Sequence, residues 1–182
     1  MSGPITPDGG RVDPTPHLAA VASAMARPGQ PAATYAALEA AMEAVLGHRL
    51  FTILRYHADS GESERVWTNR PAAYPVAGRK ALNPTFWSRQ VLQERRPYLG
   101  RTAADIREVF FDHELIASLG CASVLNLPVV WDGRVLGTIN LLHEARVVRR
   151  DRRGGRAGLR GPRRPGVAVR LASIFLARAT GR

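Results

Sequence analysis

Residues 113–143, HELIASLGCASVLNLPVVWDGRVLGTINLLH, decide the fold. They read as a short helix, closed by Gly120, followed by a long antiparallel hairpin. Asp132-Gly133 is the turn, because an Asp-Gly pair tolerates the positive φ values that a two-residue type I′ turn requires. Counting outward pairs Val130 with Val135, Leu127 with Thr138, Leu125 with Asn140 and Ser123 with Leu142. Side chains alternate across a strand, so Cys121, Ser123, Leu125, Leu127 and Val129 share one face. Asn140 and Thr138 join that face from the partner strand. An apolar face carrying a thiol, a hydroxyl and an amide suits a pocket floor; a packed core with satisfied polar groups gives the same pattern. Pro128 cannot donate to a ladder and places this strand at an edge or a bulge.

Working outward, Pro31–Leu46 is an amphipathic helix with Tyr35, Leu38, Met42, Val45 and Leu46 on one stripe and Gly47 just past its end. His17–Arg27 is a shorter helix before it. Arg49–His57 (RLFTILRYH) is a strand, and Arg65–Thr68 is its hairpin partner across the polar loop 58–64. Residues 69–82 lack periodicity and read as a long loop over a pocket. Asn83-Pro84 opens a helix to about Arg95, with Phe86, Trp87, Gln90 and Val91 inward. Pro97–Leu99 is a short strand; Thr102–Phe110 and Asp112–Leu119 are helical turns. This order predicts an α+β domain, an antiparallel sheet with helices on its faces, over residues 17–144. Residues 1–16, rich in Pro and Gly, read as disordered.

The 182 residues are 45% hydrophobic, enough for a buried core, and the net charge is +11. That charge is not spread out. Residues 1–144 hold 14 basic and 14 acidic groups, whereas 145–182 hold twelve arginines against one acid, Asp151. Three readings of this tail stand together. It contacts nucleic acid, it is a solvated extension, or it is the product of a shifted reading frame in a GC-rich gene. Val167, Leu171, Ile174 and Phe175 nevertheless keep helical spacing, so a closing helix at 167–179 is expected to survive in the tail. The single cysteine excludes an internal disulfide and a cysteine-cluster metal site. The five histidines have no metal-ligand spacing, so no metal is expected. No apolar run is long enough for a membrane span, and the start has no signal-peptide pattern; a cytoplasmic location is the expectation.

The run V-L-N-L-P-V, a D-G turn and V-L-G-T-I-N-L resembles a GAF domain over roughly Ala32 to His143. More narrowly, R-P-A-A-Y-P-V-A-G-R-K, A-D-I-R-E-V-F-F-D-H-E-L-I and S-L-G-C-A-S-V-L-N-L-P-V are similar to small stand-alone bacterial GAF proteins. The resemblance implies a GAF-like antiparallel sheet of six strands or slightly fewer, with helices packed on one face and a ligand pocket on the other. It implies a small-molecule-binding sensory module in signal transduction, often a homodimer through its terminal helices. Three departures limit it. GAF-type methionine sulfoxide reductases use several cysteines; here there is one. Bilin-attaching GAF domains carry a Cys-His pair where this chain has Asp112-His113. The N-K-x-x-F-x-x-x-D-E pattern of cyclic-nucleotide GAF domains is absent.

The expected ligand site lies between the sheet face with Cys121, Ser123 and Asn140 and a lid of residues 69–82 and 102–119. Trp67, Tyr74 and Trp87 are candidate aromatic walls, His113 a hydrogen-bond donor and Asp105 a polar contact. Each has a plainer reading: aromatics as core, Cys121 as a small buried hydrophobe, His113 and Asp105 as helix-start residues. Asp112, His113 and Ser123 together do not make a hydrolase, since adjacent Asp and His diverge from a helix and no nucleophile elbow accompanies them. The expectation is therefore a ligand-binding module without catalysis, its ligand and any cofactor unknown. Two alternatives stand beside it: a thiol-dependent reductase using Cys121, and a nucleic-acid-associated regulator acting through the basic tail.

Overall fold

A computed structural model describes residues 12–145. The candidate closing helix at 167–179 and the arginine tail beyond Ala145 lie outside them, as do residues 1–11. The element order is α1 (Thr15–Ala24), α2 (Ala32–Val45), β1 (Leu50–His57), β2 (Glu62–Thr68) and β3 (Arg79–Ala81). Next come α3 (Phe86–Ser88), which runs into a π turn at Arg89–Gln93, then β4 (Tyr98–Gly100), α4 (Ala103–Val109) and α5 (His113–Ser118). The long hairpin β5 (Ser123–Trp131) and β6 (Arg134–His143) closes the described part. The strands form one antiparallel six-stranded sheet in the order β3-β2-β1-β6-β5-β4. Among the described residues no helix is long and apolar enough to cross a membrane.

The sheet separates two cores. On one face α1 and α2 bury Val21, Tyr35, Leu38, Ala41 and Met42 against Phe51, Ile53, Leu127, Val129, Ile139 and Leu141. On the other, the segments between β2 and β5 bury Tyr74, Trp87, Val91, Tyr98, Ile106, Ile116 and Cys121 against Leu50, Val124 and Leu142. We call these the helix face and the lid face. The α2 stripe read from the sequence is the helix-face contact, and Gly47, at φ 71°, ends that helix as its position predicts.

The hairpin turn is as expected: Asp132 and Gly133 have φ of 47° and 70°, and Val130 pairs with Val135. The register beyond it differs from the count. Val129 pairs with Gly137, so Leu136 is an extra residue in β6, and the pairs become Leu127 with Ile139, Leu125 with Leu141 and Ser123 with His143. This is a β-bulge, and one added residue carries every later side chain to the opposite face. Asn140 and Thr138 therefore lie opposite Asn126 and Pro128, on the lid face, and not with Leu125 and Leu127. Pro128 stands where its chemistry requires: β4 pairs only with Val124–Asn126, leaving that stretch of β5 at the sheet's open edge.

Three further expectations are corrected. Residues 69–82 are not wholly irregular, because Arg79–Ala81 adds a sixth strand along Glu62–Glu64. The β2 strand starts at Glu62, the reversal being made by Gly61 at φ 67°. The helix expected from Asn83 to Arg95 starts at Phe86, capped reciprocally by Thr85 and Ser88, and Phe86 itself is 42% exposed.

Gly137 has a packing reason to be glycine. A Cβ there would run into the Leu54 carbonyl oxygen of the neighbouring strand β1. Gly137→Ala is expected to lower the unfolding free energy by about 3 kcal/mol or more, since the obstacle is backbone and cannot rotate away. Urea denaturation checks this; an unchanged midpoint would contradict the close approach.

Candidate functional site

The corrected register builds the site. Asn126 of β5 and Asn140 of β6 are cross-strand partners on the lid face, with Thr52 next in line on β1. A relay of hydrogen bonds joins them. The Trp87 indole N–H donates to Asn126 Oδ1 at 2.9 Å. Asn126 Nδ2 donates to Asn140 Oδ1 at 2.7 Å, and Asn140 Nδ2 donates to Thr52 Oγ1 at 3.1 Å. Asn126 is 2% exposed, Asn140 and Thr52 5% each and Trp87 9%. Buried amides left unpaired are costly, so each of these partners supports the next.

Thr138, two residues before Asn140, is 2% exposed and its hydroxyl has no partner among the described residues. It borders a recess lined also by Leu54, Ser63, Leu82, Trp87 and Leu92. The space left there is about 10 Å³, room for one water molecule. In this conformation the protein's own side chains fill the lid face.

The lid is fastened by Tyr74, whose hydroxyl donates to Asp112 Oδ2 at 2.7 Å. The Arg65 guanidinium lies over the Tyr74 ring, 4.8 Å from its centroid, and donates to the Pro75 carbonyl at 3.1 Å. Burial, then the hydrogen bond to Asp112, push the Tyr74 phenol well above its ordinary value, and burial lowers Arg65. Lys80 of β3 sits over Phe111, 5.0 Å from the ring centroid, so loop 69–82 meets the turn before α5 at two points.

The sequence-derived candidates fall in different places. Tyr74, Trp87, Cys121 and Asn140 belong to the lid face. Trp67 is on the helix face, edge-on to Tyr35 at 5.9 Å, with its indole N–H donating to Glu39 Oε2 at 2.7 Å. Ser123 follows the helix-face alternation, and its single hydroxyl proton lies between the His143 and Glu144 carbonyls, with Oγ 3.1 and 2.9 Å from them. Asp105 caps α4: its carboxylate accepts from the Arg101 and Thr102 amides at 2.7 and 3.1 Å, which holds its pKa below the usual range. His113 is half-buried in the first turn of α5. Burial pushes the Cys121 thiol above its ordinary value, which favours the unreactive protonated form. Among the described residues no group of three His, Cys, Asp or Glu is placed to hold a metal ion. Sequence reasoning passed over Asn126 and Thr52; with the bulge counted, cross-strand alternation from Asn140 finds both.

The raised Tyr74 phenol gives a pH dependence. A group whose folded pKa lies above its unfolded value of about 10 contributes fully below that pH and loses its contribution as pH rises through the folded value. The melting temperature should therefore fall from about pH 10 upward, and Tyr74→Phe should make that fall shallower. At pH 8 the same variant should melt a few degrees lower, as expected from about 1 kcal/mol for one hydrogen bond. Identical alkaline profiles for the two proteins would contradict this account of Tyr74.

No protein-family model matches the chain, and no curated protein matches it. Solved structures do. The phycocyanobilin-bound GAF domain of a cyanobacterial phytochrome has a TM-score of 0.62 at 15% identity, over 93% of this chain and 95% of that one. The GAF domain of a phosphoenolpyruvate-protein phosphotransferase from Coxiella burnetii has a TM-score of 0.59 at 15% identity, over 92% and 96%. A domain of a putative two-component sensor histidine kinase from Sinorhizobium meliloti has a TM-score of 0.52 at 15% identity, over 84% and 94%. The identities are too low to carry over function, but the architecture is shared along most of each chain: the fold of this protein is that of a GAF domain.

Proposed function

We propose that this chain is a small-molecule-binding sensory module without catalytic activity, and that its ligand is taken on the lid face of the sheet. The observation that carries this reading is the buried relay Trp87–Asn126–Asn140–Thr52 with the unpartnered Thr138 hydroxyl beside it. A mostly apolar floor with a few converging polar groups is the usual make-up of a ligand site. Tyr74 and Cys121 complete the wall, with His113 near the lid's turn. A similar fold that holds phycocyanobilin supports small-molecule binding as a use of this architecture. The lid is built from short pieces, seven residues in α4 and six in α5, and such pieces open at low cost. Output passes through a homodimer or a partner protein, and the setting is the bacterial cytoplasm.

The test is native mass spectrometry of the full chain purified from an expressing bacterium, followed by the same sample denatured. The expected result is an adduct of defined mass that is lost on denaturation and depleted at least tenfold in Asn126→Leu. An adduct equally abundant in that variant would place the ligand elsewhere; a bare chain from every growth condition would overturn the reading.

A further inference from the structure

A second recess lies on the helix face, behind Tyr35. It is lined by Tyr35 of α2, Arg55 of β1, Val66 of β2, Val129 of β5, and Leu136 and Gly137 of β6, and the space left in it is about 10 Å³. Two irregularities of the sheet surround it. One is the β5–β6 bulge, whose extra residue is Leu136. The other is on the far side of β1. Ile53 pairs with Trp67 and Leu54 with Arg65, so Val66 has no residue opposite it. The two bulges flank β1 at nearly one level, because Leu54 pairs with Arg65 on one side and Thr138 on the other, and Arg55 pairs with Gly137. A bulge leaves its extra residue outside the ladder and bends its strand. Gly137 alternates to the helix face with its partner Val129 and brings no side chain to fill the gap.

Tyr35 is 2% exposed, and its hydroxyl is buried with no hydrogen-bond partner among the described residues. Its ring is held edge-on to Trp67 at 5.9 Å. Burial pushes the phenol above its ordinary value, and the Arg55 charge acts on it in the opposite direction. Arg55 is therefore close to this hydroxyl, and both residues line the recess, yet no hydrogen bond joins them. A buried hydroxyl without a partner is costly. Two polar groups just beyond bonding distance, with space for one water beside them, are the setting in which a bridging water forms.

We propose that this recess is a binding site for one internal water, which bridges the Tyr35 hydroxyl and the Arg55 guanidinium at the junction of the two bulges. The water accepts from an Arg55 N–H and shares a hydrogen bond with the Tyr35 hydroxyl. A backbone group of the bulged residues Val66 or Leu136 supplies a further bond, giving the roughly three partners usual for a buried water. The volume excludes a larger occupant, and the rest of the wall is apolar. The bridge ties α2 to β1 where the ladder is interrupted on both sides. The site is on the opposite face from the proposed ligand site and does not depend on that reading.

Water ¹⁷O magnetic relaxation dispersion tests this, because it counts long-lived internal waters and does not report the exchange of hydroxyl protons. It is measured on the full chain and on Tyr35→Phe. The expected result is that the wild-type dispersion exceeds that of the variant by the amplitude of one water. Tyr35→Phe should also melt at a lower temperature, because the change removes a satisfied hydroxyl together with its water. Arg55→Met, which keeps Tyr35, should show the same loss of one water, and it decides alone if the first variant does not fold. Equal dispersions in the wild type and both variants would overturn the site. A higher melting temperature for Tyr35→Phe would mean that the hydroxyl has no partner at all, and would overturn it as well. A lower melting temperature with unchanged dispersion would assign the hydroxyl to a direct bond with Arg55 and overturn the water.

Discussion

The side-chain hydrogen bond between Asn126 and Asn140, 2.7 Å across the β5–β6 pair, is the constraint on which the lid face depends. Two carboxamides buried in an otherwise apolar layer are tolerated only because each meets the other and then a further partner, Trp87 on one side and Thr52 on the other. One such bond adds about 1 kcal/mol net, whereas leaving one of these groups unpaired costs about 1–3 kcal/mol. The larger number acts on register. Sliding β6 by one residue would push Asn140 and Thr138 into the apolar layer of Phe51, Ile53 and Leu127 and break the relay at two joints. The bulge at Leu136 and the close approach of Gly137 to Leu54 hold the register that the relay needs.

The two faces of the sheet differ in how they are covered, and the difference bears on function. The helix face is closed by a ten-residue and a fourteen-residue helix over an almost entirely apolar layer. Polar contacts occur there too: the Trp67 indole N–H donates to Glu39, and the fully buried Thr34 hydroxyl donates to Gln30 Oε1 at 2.6 Å. The lid face is closed by pieces too short to be stable as isolated helices. They are held by reciprocal caps at Thr85–Ser88 and Thr102–Asp105, by the Tyr74–Asp112 bond, and by packing. The proposed ligand-binding role calls for one face that can open, and the lid face, built of short pieces, is the face that fits it.

Much of this was legible in the residues. The Asp-Gly turn, the α2 stripe, Gly47 and the order of elements predicted the α+β architecture and the helix face. The register was not legible, because Leu136 is as apolar as its neighbours and nothing in VLGTINLL marks a bulge; Gly137 is the nearest hint. That one residue accounts for the misplacement of Asn140 beside Leu125 and for the oversight of Asn126. Ser123 was grouped with Cys121 by alternation along one strand, but β5 begins at Ser123, so Cys121 lies outside that alternation and on the lid face while Ser123 follows Leu127 and Val129 to the helix face. Trp67 and Asp105 were drawn in because an aromatic and a carboxylate read alike whether they meet a ligand, a glutamate or a helix cap. Phe86 followed helical periodicity over a segment that is partly a π turn, in which the period of 3.6 does not hold.

A double-mutant cycle on Asn126→Leu and Asn140→Leu, read by chemical denaturation, tests the central claim most directly. If the two amides act as one unit, each single change costs about 2–3 kcal/mol. The double change then costs well under their sum, with a coupling of at least about 1 kcal/mol, because the second removal no longer strands a buried partner. Additive losses would contradict the account and would mean that the two side chains contribute independently to an ordinary core.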